Sequence, residues 1–201
     1  MRAGAADFSR DDHSIVRGLV NERTRAFLYD YAMRMRQAGS LKTGDSVPTA
    51  LHGAADPFME SLLEVLQPRI ESETGLSLSP TYSYFRVYGR GDALARHKDR
   101  PSCEVSISLA LGGVPPTPWP LWIEHRGVAT RIDLGQGDGL VYKGIEVPHW
   151  REPFEGESLA QVFLHYVDRN GAHRDLAFDG RPRLGATPAA RRVLGLLGSG
   201  A

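Results

Sequence analysis

The residues best equipped for chemistry are His97 and Asp99, in Leu-Ala-Arg-His-Lys-Asp-Arg, and His149, in Val-Pro-His-Trp-Arg-Glu-Pro. Side chains on an extended strand alternate faces, so His97 and Asp99, two apart, project to one side and can grip an ion together. One more histidine would make a set of two imidazoles and a carboxylate on one face of a metal, its other face open, as in non-haem iron(II) sites. By residue type His149, His125 and His165 all qualify, since each falls in a strand-like segment. Position favours His149. A Tyr-Gly-x-Gly turn at Tyr88 to Gly91 precedes His97, and a Gly-Asp-Gly turn at Gly137 to Gly139 precedes His149. A jelly roll can bring two such strand ends to one barrel mouth, where ligand sites are commonly built.

The elements that would hold these residues follow from periodicity. Residues 1 to 12 are small and charged and read as loose. Ser14 to Val20 suits a short strand; Asn21 caps a helix reaching Gln37, with Phe27, Leu28, Tyr31, Ala32 and Met35 at helical spacing. Ser40 to Gly53 reads as a loop. Asp56-Pro57 opens a second helix, with Met59, Leu62, Leu63, Val65 and Leu66 on its buried side, which Pro68 should kink or divide before Gly75 ends it. The pattern then alternates. Pro80 to Tyr88 puts Tyr82, Tyr84, Arg86 and Tyr88 on one face, and Glu104 to Leu111 alternates Val105, Ile107, Leu109 and Leu111 with Ser106, Ser108 and Ala110. Further strands are expected at 119–124, 129–134, 140–143, 147–152 and 160–167, punctuated by glycine and proline. Helices followed by short strands predict an α+β fold whose core is a double-stranded β-helix, a jelly-roll or cupin-like barrel, with the N-terminal helices packed on one sheet. One domain over 1–201 is expected, with its core at about 80–168, helical support at 1–79 and a C-terminal tail at 169–201. A short helix from Thr187-Pro188 through Leu197 would lie in that tail.

Composition narrows the partners. Basic and acidic residues number 24 each, a formal charge of +0, so no global field draws nucleic acid or anionic membrane. The single cysteine, Cys103, excludes an internal disulfide framework or a multi-cysteine metal site and fits a reducing cytoplasm. No apolar run approaches a membrane span, and the start is too polar for a signal peptide. Trp119, Trp122 and Trp150 read as packing, Cys103 as buried and inert, and Arg100 as a solvated turn residue. Gly89-x-Gly91 lacks the following helix that a phosphate loop needs.

Taken in order, Tyr88-Gly89-x-Gly91, His97-x-Asp99, Gly137-Asp138-Gly139-Leu-Val-Tyr-x-Gly144 and Val147-Pro148-His149 resemble the iron(II)- and 2-oxoglutarate-dependent dioxygenase superfamily, closest to its prolyl-4-hydroxylase-like branch. The resemblance spans about residues 80 to 168. It implies that His97, Asp99 and His149 ligate Fe(II), that Tyr88 touches 2-oxoglutarate, and that dioxygen is consumed in hydroxylating an unactivated carbon. Desaturation, ring closure and demethylation share its first step. Asp99 also separates the chain from the related halogenases, which lack a ligand there. One part departs from the pattern. Relatives anchor the distal carboxylate of 2-oxoglutarate with a base on the last core strand, but here Glu157-Ser158-Leu159-Ala160-Gln161 has none. A buried anion needs a cation. Arg151, two beyond His149 and on the same expected face, is the first candidate, its planar fork suited to a carboxylate; Arg86 is the second. An ion pair of Arg151 with Glu152 or Glu155 is the structural alternative. The implied partner is a small-molecule or peptidyl substrate, covered by a lid drawn from the segment between the helices and from Gly112 to Pro118. Two rival readings are a cupin-like metalloprotein that does not use 2-oxoglutarate and a non-catalytic binding barrel.

Overall fold

The alternating pattern that begins near residue 78 forms two facing antiparallel sheets, in a computed structural model that describes residues 3–186. Ten strands run in chain order: β1 (His13–Val16), β2 (Leu51–Ala54), β3 (Leu78–Gly89), β4 (Leu94–His97), β5 (Val105–Val114), β6 (Leu121–His125), β7 (Val128–Ile132), β8 (Gly139–Tyr142), β9 (His149–Arg151) and β10 (Ser158–Asp168). The larger sheet has the order β1-β8-β5-β10-β3-β2 and the smaller β4-β9-β6-β7. Three helices, α1 (Ala3–Asp11), α2 (Glu22–Gln37) and α3 (Pro57–Thr74), support the larger sheet.

Period-two alternation decides what each face of that sheet meets. Phe85 and Val87 of β3, Ile107 and Leu109 of β5, and Val162 and Leu164 of β10 join one buried cluster with Leu28 and Ala32 of α2 and Met59, Leu63 and Ile70 of α3. Their neighbours in sequence, Tyr84 and Arg86, Ser106 and Ser108, Gln161, Phe163 and His165, face the barrel interior. The serines of β5 leave space there that bulkier residues would fill.

Capping sets the helix ends. The Asn21 side chain accepts the Thr24 amide and the Asp56 side chain the Met59 amide, each at 2.9 Å, and Gly75 ends α3 in the left-handed region at φ 74°.

The structure corrects several expectations. Residues 3–11 are helical rather than loose, because Phe8 is buried in the helical cluster. The expected loop 40–53 ends in β2, an edge strand on β3. α3 continues through Pro68, which therefore does not divide it. The proline lies on the exposed face of that helix, so the Glu64 carbonyl it deprives of a donor can turn to water while Leu63, Leu66 and Ile70 hold the other side. The expected helix from Thr187 lies outside the described residues.

After β10 the chain is tied back across α3. Arg181 donates to Glu60 at 2.5 Å and to the Thr81 carbonyl at 2.8 Å, with both charged side chains at most 3% exposed. Removing one member of such a pair strands the other charge in low dielectric. Glu60→Ala should therefore lower unfolding free energy by about 3–5 kcal/mol in chemical denaturation, while Glu60→Leu combined with Arg181→Met should recover most of that loss.

Candidate metal centre and its cavity

Pairing of β4 with β9 sets His97 directly opposite His149. Their rings lie 4.3 Å apart between centroids, and Asp99, just past the end of β4, turns back between them. Asp99 Oδ1 is 3.6 Å from His97 Nε2 and 3.6 Å from His149 Nε2. The His97 Nδ1–H donates to the Ala95 carbonyl at 2.8 Å, and the His149 Nδ1–H to the Val147 carbonyl at 3.0 Å. Each ring thereby carries its proton on the outer nitrogen and turns the lone pair of the inner one toward Asp99, the arrangement found behind metal-bound histidines. Two neutral imidazole nitrogens and one carboxylate oxygen, mutually within 4.8 Å, suit a divalent transition ion.

Electrostatics agree with that use. Burial opposes ionisation of Asp99, but hydrogen bonding with His97 and the neighbouring His149, His165 and Ser106 outweigh it, and its carboxyl is held at about 2. Hydrogen bonding to Asp99 raises the pKa of His97, whereas burial lowers that of His149. The same negative oxygen that favours a proton on His97 favours a metal cation in its place. His149 is buried and His97 is partly open to solvent, so the centre sits at the barrel mouth.

The centre opens into a cavity of about 430 Å³, lined by Tyr82, Tyr84, Arg86, Leu94, Tyr142, Phe163 and His165 beside the three candidate ligands, with Asp45 and Ser46 closing one wall. The rival histidines resolve differently. His165 reaches this cavity but bonds through Nδ1 to Ser106 at 3.0 Å. His125 pairs with Asp12 at 3.1 Å.

The arginines proposed as anchors are both buried but differ in charge balance. Arg86 lines the metal cavity, where one amino group bonds the Asp45 carboxylate and, at 3.2 Å, the Ser46 hydroxyl. Its other amino group donates to the Tyr88 hydroxyl at 3.1 Å, and the Tyr84 hydroxyl donates to Asp45 as well. Arg151 is 3% exposed, and its hydrogen bonds do not go to Glu152 or Glu155, the structural alternative. It donates to the Trp119 carbonyl and, at 2.8 Å, to Gln161, both neutral acceptors, and its Nε has no partner. Burial pulls this guanidinium down to about 10, which leaves it cationic at neutral pH. It pairs across the sheet with Leu94, a wall residue of the metal cavity, and borders a separate cavity of about 30 Å³ beside Pro118, Trp119 and Gln161.

Several site residues escaped the sequence reading. Ser106 sits on the inner face that alternation assigns to it, yet nothing in its type marks it as a partner of Asp99. Asp45 lies in a polar stretch without a motif; only the return of residues 43–50 over the barrel brings it to Arg86. Of the two segments expected to form a lid, this one borders the cavity, whereas Gly112 to Pro118 borders the smaller one by Arg151. Arg100 is anchored rather than simply solvated, its two amino groups bonding Asp179 at 2.7 and 2.8 Å. The Gly-Asp-Gly turn serves the scaffold: Asp138 accepts the Gly18 and Gly135 amides, each at 2.9 Å, and stays away from the site. Tyr88 is fully buried behind Arg86, and Trp122 and Trp150 stack on each other at 6.0 Å. Cys103 is buried, as expected, its thiol pushed up to about 12 by burial first and by Asp99 second. Among the described residues no helix is long and apolar enough to cross a membrane.

No protein-family model and no curated protein sequence matches the chain. Solved structures do. A prolyl-4-hydroxylase from Pseudomonas putida is 21% identical over 84% of this chain and 98% of its own, with a TM-score of 0.68. The non-haem α-ketoglutarate-dependent epimerase SnoN of nogalamycin biosynthesis superposes at a TM-score of 0.72, with 16% identity over 92% of this chain and 91% of its own. HygX from Streptomyces hygroscopicus, solved with nickel and 2-oxoglutarate, gives a TM-score of 0.66 and 11% identity over 85% and 88% of the two chains. The chain therefore has the jelly-roll fold of the 2-oxoglutarate- and iron-dependent oxygenases, its helices on the larger sheet as the sequence led one to expect.

If the three side chains act as one chelating set, loss of any donor must be costly. His97→Ala, Asp99→Ala and His149→Ala should each weaken anaerobic binding of Fe(II) or Co(II) by more than about 100-fold, beyond the 10- to 100-fold typical of residues that only support a ligand. Calorimetric titration would measure this, with His125→Ala keeping the parental affinity.

Proposed function

We propose that the protein is an iron(II)- and 2-oxoglutarate-dependent oxygenase that hydroxylates an unactivated carbon of a small molecule or of an amino-acid or peptidyl substrate. The observation that carries this reading is the facing of two lone-pair-bearing imidazole nitrogens and one carboxylate oxygen at the mouth of a jelly-roll cavity. His97, Asp99 and His149 would hold the iron. Once bound, iron(II) with 2-oxoglutarate and dioxygen supplies the oxidising power that the side chains lack.

The chain's own contribution is binding, orientation and exclusion of water. Arg151 receives the distal carboxylate of 2-oxoglutarate, because it is the buried cation in this region whose bonds go only to neutral acceptors. A carboxylate there would neutralise the charge and could bond the unpaired Nε. Arg86 already has a carboxylate in Asp45, so its part is to hold the Tyr88 hydroxyl and complete the wall beside the cosubstrate. Tyr84, Leu94, Tyr142 and Phe163 give the remaining walls an apolar and aromatic surface that limits water around the reacting carbon.

Substrate size follows from the space. A cavity of about 430 Å³ lies toward the lower end of the range for small-molecule sites, and the cosubstrate must share it. An amino-acid side chain or one edge of a larger molecule fits, with the rest of the substrate outside the mouth. That range matches the similar structures: a prolyl hydroxylase of Trichoplax adhaerens was solved with a hypoxia-inducible-factor peptide, and HygX with hygromycin B.

Anaerobic addition of Fe(II) and 2-oxoglutarate should produce the visible charge-transfer band of the chelate. A parent protein that binds Fe(II) without forming the band would be the cupin-like metalloprotein instead, and one that binds no metal would be a binding barrel. Arg151→Met should weaken 2-oxoglutarate by at least about 30-fold, the equivalent of some 2 kcal/mol lost with a buried charge pair. A loss confined to Arg86→Met would transfer the anchor to Arg86.

A further inference from the structure

Of the two Asp99 oxygens, Oδ1 lies 3.6 Å from both inner histidine nitrogens, and Oδ2 meets the Ser106 hydroxyl. We propose that Ser106 and His165 form a positioning relay that commits Asp99 Oδ2 and presents Oδ1 alone to the metal. This rests on His97, Asp99 and His149 being the ligand set.

Hydrogen counting gives the relay its direction. Ser106 Oγ lies 2.8 Å from Asp99 Oδ2, 3.0 Å from His165 Nδ1 and 3.2 Å from the Cys103 carbonyl. A serine hydroxyl has one proton to give, and an ionised carboxylate is its strongest available acceptor. Ser106 therefore donates to Asp99, and its lone pair accepts the Nδ1–H of His165. The reverse direction would set an oxygen lone pair against Oδ2 at 2.8 Å. His165 thereby carries a proton on Nδ1, and its ring packs against that of Tyr82 at 4.6 Å between centroids. Ser106 and His165 are both buried, so water does not compete readily for these bonds.

Gly144 shows how closely the backbone enforces the arrangement. Its carbonyl accepts the Asp99 amide at 2.9 Å, and its Cα packs against the carboxylate. A Cβ at this position would lie 2.4 Å from Asp99 Oδ2, 2.7 Å from Ser106 Oγ and 2.3 Å from the Cys103 carbonyl, all impossible contacts. Only glycine leaves room for a carboxylate turned so that Oδ2 meets Ser106. The glycine that ends the Gly137 to Gly144 motif thus acts on the metal centre through Asp99.

The relay has a chemical consequence. A carboxylate free to use both oxygens can occupy an additional position on the ion, one that a chelating cosubstrate and dioxygen need. Tying Oδ2 to Ser106 keeps that position available. Ser106 and His165 touch neither substrate nor metal; they are positioning residues.

Cobalt(II) is the probe, since its visible absorption reports coordination without turnover. Ser106→Ala and His165→Leu should bind Co(II) with a changed visible spectrum and weaken 2-oxoglutarate by about 10- to 100-fold, the range found when ligand-supporting residues are lost. Ser106→Thr keeps the hydroxyl, and His165→Asn can set an amide N–H near the place of Nδ1; both should stay close to the parental spectrum and affinity. Melting curves identify variants that are merely misfolded, and the two positions are tested independently. Parental spectra and affinities in both Ser106→Ala and His165→Leu would overturn the relay, as would a folded Ser106→Thr that behaves like the alanine variant. A parent that binds no Co(II) would instead overturn the ligand set itself.

Discussion

Everything at the site depends on one short antiparallel contact, the pairing of β4 with β9 that puts His97 opposite His149. The two residues are 52 positions apart in the chain, and β9 has only three residues, His149–Arg151. Such a strand has little stability of its own. Its place is secured by β6, which pairs on the other side through Trp122 with Trp150 and Ile123 with His149, and by the buried surface beneath. The contact also fixes where Arg151 falls, because a residue two beyond His149 shares its face.

The barrel interior is a problem of charge as much as of space. It holds the guanidiniums of Arg86 and Arg151 but gives a protein carboxylate only to Arg86. Burying an uncompensated cation costs stability, and such groups concentrate where a ligand completes the balance. Asp99 is handled in the opposite way: its charge is stabilised by surrounding donors, and its two oxygens are given different tasks by Ser106 and by the histidine pair. The interior therefore holds a carboxylate between two imidazoles at one point and a guanidinium without a protein carboxylate at another.

Much of this was legible because β-structure writes its faces into the sequence. In Glu104 to Leu111 the large apolar residues mark the surface covered by helices, and the intervening Ser106, Ser108 and Ala110 mark the hollow side. The caps at Asn21 and Asp56 placed the starts of α2 and α3 for equally local reasons. Pro68 does not divide α3, because its effect depends on whether the carbonyl it leaves unpaired faces solvent or core, which a helical sequence pattern weighs poorly.

The sequence by itself determined the two-sided character of each long strand, the helix starts, and the closeness of His97 to Asp99 on one short segment. These are consequences of local geometry and need no knowledge of distant neighbours. Tertiary structure supplied the register that sets His149, already favoured by position, opposite His97, and it alone decided that Asp45 reaches Arg86 while Arg151 is left without a carboxylate, and that Ser106 takes the second oxygen of Asp99. Those outcomes depend on strand order and register across long separations in the chain, where one residue of slip reverses the face on which a side chain lies.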